Sequence, residues 1–238
     1  MIKKIENLPE QFCNELSYHR IKAYYNTYNK TLGVEMYVQS DGAEITAFIG
    51  RTGAGFSLCA DKNADFSELS DFFSFLSAEV FCEEWVAEFF RENKFKTIPV
   101  YEFCGEAQDF IGQNGKISEV YNILSFGLDG ALLLPPFEEF YPDLSIRVNH
   151  NSAEYYLSET SAAVIGFMTE EFSMITGVAT DKTARNKGEG KKAVLAVCAK
   201  ALKKYPNTKI VVAAEDLVAP FYKKCGFLDY KNYAILNF

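Results

Sequence analysis

The sequence predicts an α/β (α+β) chain built as two units of similar organisation, over residues 1–125 and 145–238, with a linker over 126–144. Three observations carry this. Two stretches recur in the same order in both halves of the chain. The second copy alone has a strand, a glycine-rich basic loop and a long amphipathic helix. Between the copies lies a stretch of turn-forming residues.

The first 30 residues read as helix from Leu8 to Tyr28, with Pro9 in its first turn and apolar residues at helical spacing. Glu35-Met36-Tyr37-Val38-Gln39-Ser40 lies over Glu154-Tyr155-Tyr156-Leu157-Ser158-Glu159, and the match continues through Ala43/Ala162, Ile45/Val164 and Phe48/Phe167. Both stretches read as two strands joined by a short turn. Asp41-Gly42 supplies a strong hairpin signal in the first copy and Thr160-Ser161 a weaker one in the second. Trp85 to Phe95 lies over Leu217 to Phe227, each a short helix pattern ending in an aromatic that begins the next strand. The first match is displaced by 119 residues (154 − 35) and the second by 132 (217 − 85), so the second copy carries 13 extra residues (132 − 119). They fall around Thr183 to Lys192. Two matches in one order, with the length difference at one place, mark an internal repeat spanning roughly 20–120 and 145–238. Between the copies, Gly130, Pro135-Pro136 and Pro142 are turn and linker chemistry.

In the second unit a strand over Ser173–Thr180 runs into Asp181-Lys182-Thr183-Ala184-Arg185-Asn186-Lys187-Gly188-Glu189-Gly190-Lys191-Lys192. A helix follows with Val194, Leu195, Val197, Cys198, Ala201 and Leu202 on one face. Strand, glycine-rich loop and helix N-terminus together suit an anion, because backbone N–H groups converge and the helix dipole adds positive charge. A plain strand-to-helix turn on a basic surface is the alternative. The loop is not a dinucleotide fingerprint, since Ala193 stands where a third glycine is needed, and Lys192 departs from a nucleoside-triphosphate loop.

The formal net charge of −8 argues against nucleic-acid or anionic-membrane binding, so a basic cluster needs a local reason. The N-terminus has no apolar run behind its lysines, and no stretch approaches a membrane span. Six scattered cysteines without a C-x-x-C pair read as reduced thiols in a cytoplasmic protein, with no metal site. The 21 Phe and 14 Tyr are expected mainly in cores.

Arg185-Asn186-Lys187-Gly188-Glu189-Gly190 resembles the pyrophosphate signature [Q/R]-x-x-G-x-[G/A] of the GNAT superfamily of acetyl-CoA-dependent N-acetyltransferases. Pro220 to Phe227 resembles the same family's L-Y-x-K-x-G-F helix, and the strand over Lys209–Ala214 lies between the two, in the family's order. The resemblance covers 145–238. It implies a mixed, mostly antiparallel central sheet flanked by helices in each unit. It implies acetyl-CoA as cosubstrate, with backbone at Lys187, Gly188, Glu189, Gly190 and Lys191 on the pyrophosphate and the side chains of Arg185 and Lys187 among the basic groups near the phosphates. Arg185 and Asn186 open that signature. Val178, Ala179 and Thr180 would pair with the pantetheine arm along a free strand edge. Tyr222 matches the tyrosine that protonates the departing thiolate in many members, although a packing tyrosine fits as well. Glu171 is the first candidate for the general base, ahead of Glu170, Glu215 and Asp216; each also fits a solvated turn. His150 could border an acceptor cleft or be structural. The family often has asparagine near 215–216, and here it is absent.

The first unit then reads as a degenerate copy: Asp61 to Phe66 replaces the loop and Phe90 stands for Tyr222. The expected function is acetyl transfer from acetyl-CoA to the primary amine of a small molecule by direct attack, in a monomer or homodimer. The alternatives are another acyl-CoA or acceptor, or a non-catalytic acetyl-CoA sensor.

Overall fold

The computed structural model describes residues 1–28, 34–53, 55–112, 115–127 and 134–238, without the side chains of 126 and 127. The chain forms two compact units: residues 1–100 with 230–238, and residues 101–229.

The first unit opens with β1 (Ile2–Ile5) and α1 (Leu16–Tyr28), followed by β2 (Val34–Asp41), β3 (Glu44–Thr52) and β4 (Gly55–Ala60). Then come α2 (Phe66–Phe75), β5 (Glu79–Glu83), the short α3 (Glu84–Ala87) and β6 (Phe95–Phe103), which leaves the unit after Val100. The helix expected from Leu8 begins only at Leu16. The residues before it form isolated turns, and the His19 ring nitrogen engages the Cys13 carbonyl at 2.6 Å, so that carbonyl is not used in a helical ladder. The expected hairpin at Asp41-Gly42 is present: β2 and β3 pair antiparallel to Asp41↔Glu44, and Gly42 takes φ +62°. β4 pairs antiparallel with β3 but parallel with β5, at Gly55–Ser57 against Glu79–Phe81.

The second unit continues from β6 through α4 (Ile117–Gly127), α5 (Phe137–Asn149), β7 (Glu154–Leu157), β8 (Ser161–Met168) and β9 (Phe172–Thr180). A single 3-10 turn at Lys182–Ala184 precedes α6 (Glu189–Lys204), and β10 (Lys209–Ala213), α7 (Ala219–Lys224) and β11 (Phe227–Asn237) complete the chain. β7, β8 and β9 are antiparallel neighbours, while β9 and β10 are parallel. The two units therefore share one order: two antiparallel strands, a third that also pairs in parallel with the strand beyond the next helix, a short helix, and a final strand. Strands matched by the sequence repeat occupy equivalent places, β2 with β7 and β3 with β8.

Two boundaries differ from expectation. Residues 101–125 belong with the second unit, because Val120 and Leu124 of α4 pack with Leu144, Leu157, Ala162, Val164 and Ala179, and the Tyr155 hydroxyl donates to the Gly115 carbonyl at 3.1 Å. Residues 230–238 belong to the first, where Tyr233–Asn237 pair antiparallel with β5 and Ala234, Leu236 and Phe238 join its core. The expected linker over 126–144 is also partly helix. Pro136 is the N-cap of α5, Glu138 and Glu139 sit in its first turn, where acidic charge suits the dipole, and Pro142 lies inside it. The turn residue Gly130 lies outside the described residues.

The second unit buries a core on each face of its sheet. α6 covers one face, with Val194, Val197, Cys198 and Ala201 against Ile165, Ile175 and Ile210. α4 and α5 cover the other. Among the described residues no helix is long and apolar enough to cross a membrane.

Candidate active site

β9 is paired with β8 from Ser173 to Thr180, Thr176 apart, but its parallel pairing with β10 stops at Ile175↔Val212. From Thr176 to Thr180 the strand therefore presents one edge with no strand on it among the described residues. Backbone donors and acceptors on such an edge call for a partner. α6 ends its approach beside this edge. Gly190 is held so close that a Cβ there would lie 2.9 Å from the Thr180 Oγ1 and 3.5 Å from the Phe221 ring.

The loop between them is set by its own side chains. The Asp181 carboxylate accepts from the Thr183 N–H at 2.8 Å and its hydroxyl at 2.6 Å, which holds the Asp181 carboxyl below its ordinary pKa. Arg185 reaches back with Nε to the Thr180 carbonyl at 3.2 Å. Asn186 takes φ +63° and Gly188 φ +87°, so the chain reverses into α6 through two left-handed residues. Gly188 is the N-cap and offers no side-chain cap; the first helical bond runs from the Lys192 N–H to the Gly188 carbonyl at 3.0 Å. The N–H groups of Glu189, Gly190 and Lys191 are left without an intrahelical acceptor, at the positive end of a 16-residue helix. That is a cradle for an anion.

A cavity of about 550 Å³ joins these parts. Val178, Ala179, Thr180, Ala184, Arg185, Asn186, Gly188, Glu189, Gly190 and Lys191 line one side; Val218, Phe221, Tyr222, Lys224 and Cys225 line the other. The residues expected at the strand edge, nearly all of those expected in the loop, and Tyr222 are thus brought together. Lys187 is not among the lining residues: its ammonium donates to the Thr183 carbonyl at 2.8 Å and it borders a neighbouring cavity with Lys192 and Tyr156. Tyr222 is 9% exposed and packs edge-on against Phe221 and Phe227. Burial first, and the thiols of Cys225 and Cys198 next, push its hydroxyl pKa up. Burial likewise raises Cys225 to about 11, a neutral thiol in the cavity wall.

Glu171 is not brought to this cavity. It precedes β9, and its carbonyl accepts from the Lys209 N–H at 2.8 Å, where β9 and β10 are still paired. Seven residues of strand separate it from Val178, roughly 20 Å at about 3.3 Å per residue. His150, the C-cap residue of α5, is exposed and does not line the cavity either. Phe221, Lys224 and Cys225 were not singled out by the sequence reading. For Phe221 and Cys225 the signal is the spacing 218, 221, 222, 225, which puts these four side chains on one face of the short α7 and its caps; Lys224 lies outside that spacing.

The first unit fills the equivalent place. Asp65 caps α2 by accepting from the N–H groups of Ser67 and Glu68 at 3.1 and 3.0 Å, so a carboxylate of the chain already satisfies that helix end. Phe66 stacks on Phe89 with ring centroids 4.2 Å apart and meets Phe90 edge-on, closing the space between α2 and α3.

Residues 117–227 match the acetyltransferase (GNAT) family model. This segment is a GNAT acetyltransferase domain. No curated protein matches the chain. Solved structures with the same fold include a GNAT-family acetyltransferase from Colwellia psychrerythraea (TM-score 0.55, 13% identity, 100% of this chain and 99% of that one). A tandem GNAT protein from the clavulanic acid biosynthesis pathway is similar over 99% of this chain and 98% of its own (TM-score 0.58, 6% identity). A GCN5-related N-acetyltransferase from Sphaerobacter thermophilus is similar over 99% and 94% (TM-score 0.56, 11% identity). At these identities the likeness is one of fold. The GNAT domain supports acyl transfer as the general chemistry of the chain.

Proposed function

We propose that the chain transfers an acetyl group from acetyl-CoA to the primary amine of a small molecule, by direct attack, within the cavity of the second unit. The observation that carries this reading is the meeting, in one cavity, of an uncapped helix N-terminus, an unpartnered strand edge and a buried tyrosine. Each fits a different part of the donor. The N–H groups of Glu189, Gly190 and Lys191 take the pyrophosphate, with Arg185, Lys191 and Lys224 adding charge. Val178 to Thr180 offer backbone partners to the amides of the pantetheine arm, as a neighbouring strand would. Tyr222 delivers a proton to the departing thiolate. Water excluded by Phe221, Val218 and Cys225 strengthens the polar contacts made inside.

The first unit, on this reading, is a degenerate copy that holds no donor, because Asp65, Phe66 and Phe89 occupy the place. The test is calorimetric titration with acetyl-CoA of the parent and of a variant carrying Gly188→Glu and Gly190→Glu. One site per chain, abolished in the variant, is the expected result. Binding that survives the two glutamates moves the site elsewhere, and absence of binding by the parent overturns the reading.

A further inference from the structure

The β8–β9 ladder carries two opposed irregularities. Val164 pairs with Gly177 and Ile165 with Ile175, which leaves Thr176 as the extra residue on β9. Ile165 is then followed in the register by Phe167 against Met174, which leaves Gly166 as the extra residue on β8. The two extra residues face each other: a Cβ on Gly166 would lie 2.4 Å from the Thr176 Oγ1. Ile175 is also the last residue of β9 that pairs with β10. The bulge is therefore the point at which β9 parts from β10 and its free edge begins.

An extra residue in a ladder has no cross-strand donor for its carbonyl. For Gly166 the donor comes from the helix layer: Arg147 of α5 gives Nη1–H to the Gly166 carbonyl. The same guanidinium gives Nη2–H to Asp143, one turn earlier on α5. The side chain of Arg147 is 12% exposed, so this fork is a largely buried tie between α5 and the bulge. A planar guanidinium serves both acceptors from fixed directions, which a flexible ammonium cannot.

We propose that Arg147 is a positioning residue for the donor site: by supplying the missing donor at Gly166 it fixes the paired bulges, and with them the course of β9 from Thr176 to Thr180. The proposal rests on the reading of that edge as the acetyl-CoA site. Arg147 touches no part of the donor and acts through the strand.

The experiment compares Arg147→Met, Arg147→Lys and Asp143→Asn with the parent, by acetyl-CoA titration and by amide hydrogen exchange resolved along β9. Arg147→Met is expected to weaken acetyl-CoA about tenfold, since a shift of an ångström in a positioning element has effects of that order or larger. Exchange should quicken at Thr176–Thr180 and stay unchanged at Phe172–Ile175. Arg147→Lys should recover part of the affinity, and Asp143→Asn should fall between the parent and the Met variant. If Arg147→Met does not fold, the Lys and Asn variants carry the test through the same local exchange. Affinity within twofold of the parent in every folded variant overturns the proposal. So does loss of protection spread evenly over β8, β9 and β10, the mark of a general structural tie. A parent that binds no acetyl-CoA defeats the donor reading instead, and the exchange pattern at 176–180 still decides what Arg147 holds.

Discussion

Tyr222 shows what burial does to a proton donor. Its phenol is a weaker acid than a phenol in water, since desolvation first, and the ionisable Cys225 and Cys198 beside it next, disfavour the phenolate. A thiolate leaving into the same apolar wall is raised by the same cause. The difference between the two acidities governs transfer, and it changes less than either value alone. Tyr222→Phe keeps the ring against Phe221 and Phe227 and removes the proton. Turnover measured with an accepted amine should fall by about a hundredfold, and calorimetry should find acetyl-CoA binding unchanged; undiminished turnover would remove Tyr222 from the chemistry. Glu15 in the first unit is a carboxyl that burial perturbs. Desolvation, then the charge of Glu83, lifts its carboxyl to about 7 against the contrary pull of Cys59 and Lys231. Folded Glu15 keeps its proton up to about pH 7, whereas the unfolded chain releases it near 4.5. This group therefore favours the folded state at acidic pH, and its contribution is lost as pH rises from about 4.5 to 7. Its size is on the order of 2 kcal/mol. Denaturation of Glu15→Gln against the parent at pH 5 and pH 8 should show the parent losing that much more on going to pH 8; parallel behaviour would contradict the shift.

Elements in equivalent places do opposite work in the two units. α2 and α6 start at equivalent places, but α2 is closed by Asp65 and α6 is left open by Gly188. Asp65→Ala should cost the first unit about 1 kcal/mol, as loss of a cap does. A denaturant midpoint unchanged in that variant would show that the cap contributes nothing. The contrast was readable in the residues: Asp61 to Phe66 has no glycine and is acidic on balance, with Lys62 against two aspartates, whereas Thr183 to Lys192 has two glycines and is basic. The strand over Ser173–Thr180 and the helix carrying Val194 to Leu202 were equally legible, because turn chemistry and periodicity mark them, although the helix starts at Glu189, inside the expected loop. Tyr222 was singled out by the family resemblance. What was not legible was nonlocal. Pro135-Pro136 reads as a break, yet it starts α5, since a proline before a first turn has no N–H to lose. The opposed bulges at Gly166 and Thr176 leave no pattern in the chain, for they depend on which residues of two strands come opposite each other. Glu171 seemed suited to catalysis by its place before the strand; only the pairing of β9 with β10 shows that it lies at the closed end.

At the scale of the molecule, the boundary between units does not follow the repeat. The final strand starts in the second unit and finishes in the first, where Tyr233 pairs with Glu83 and stacks on Phe81 with centroids 5.0 Å apart. Phe238 meets Phe73 and Phe90, at 5.2 and 5.1 Å between ring centroids. Removing residues 233–238 should therefore make the first unit sensitive to limited proteolysis, although the residues lost include none from the two cores of the second. Equal resistance of both forms would mean that β5 does not need this strand. A chain leaving the ribosome makes residues 1–100 well before 230–238. The earlier half must wait, with the edge of β5 bare, while the 129 residues of the second unit (101–229) are synthesised. The first unit is thus begun before the second and completed after it, by residues that follow the whole of the second unit in the chain.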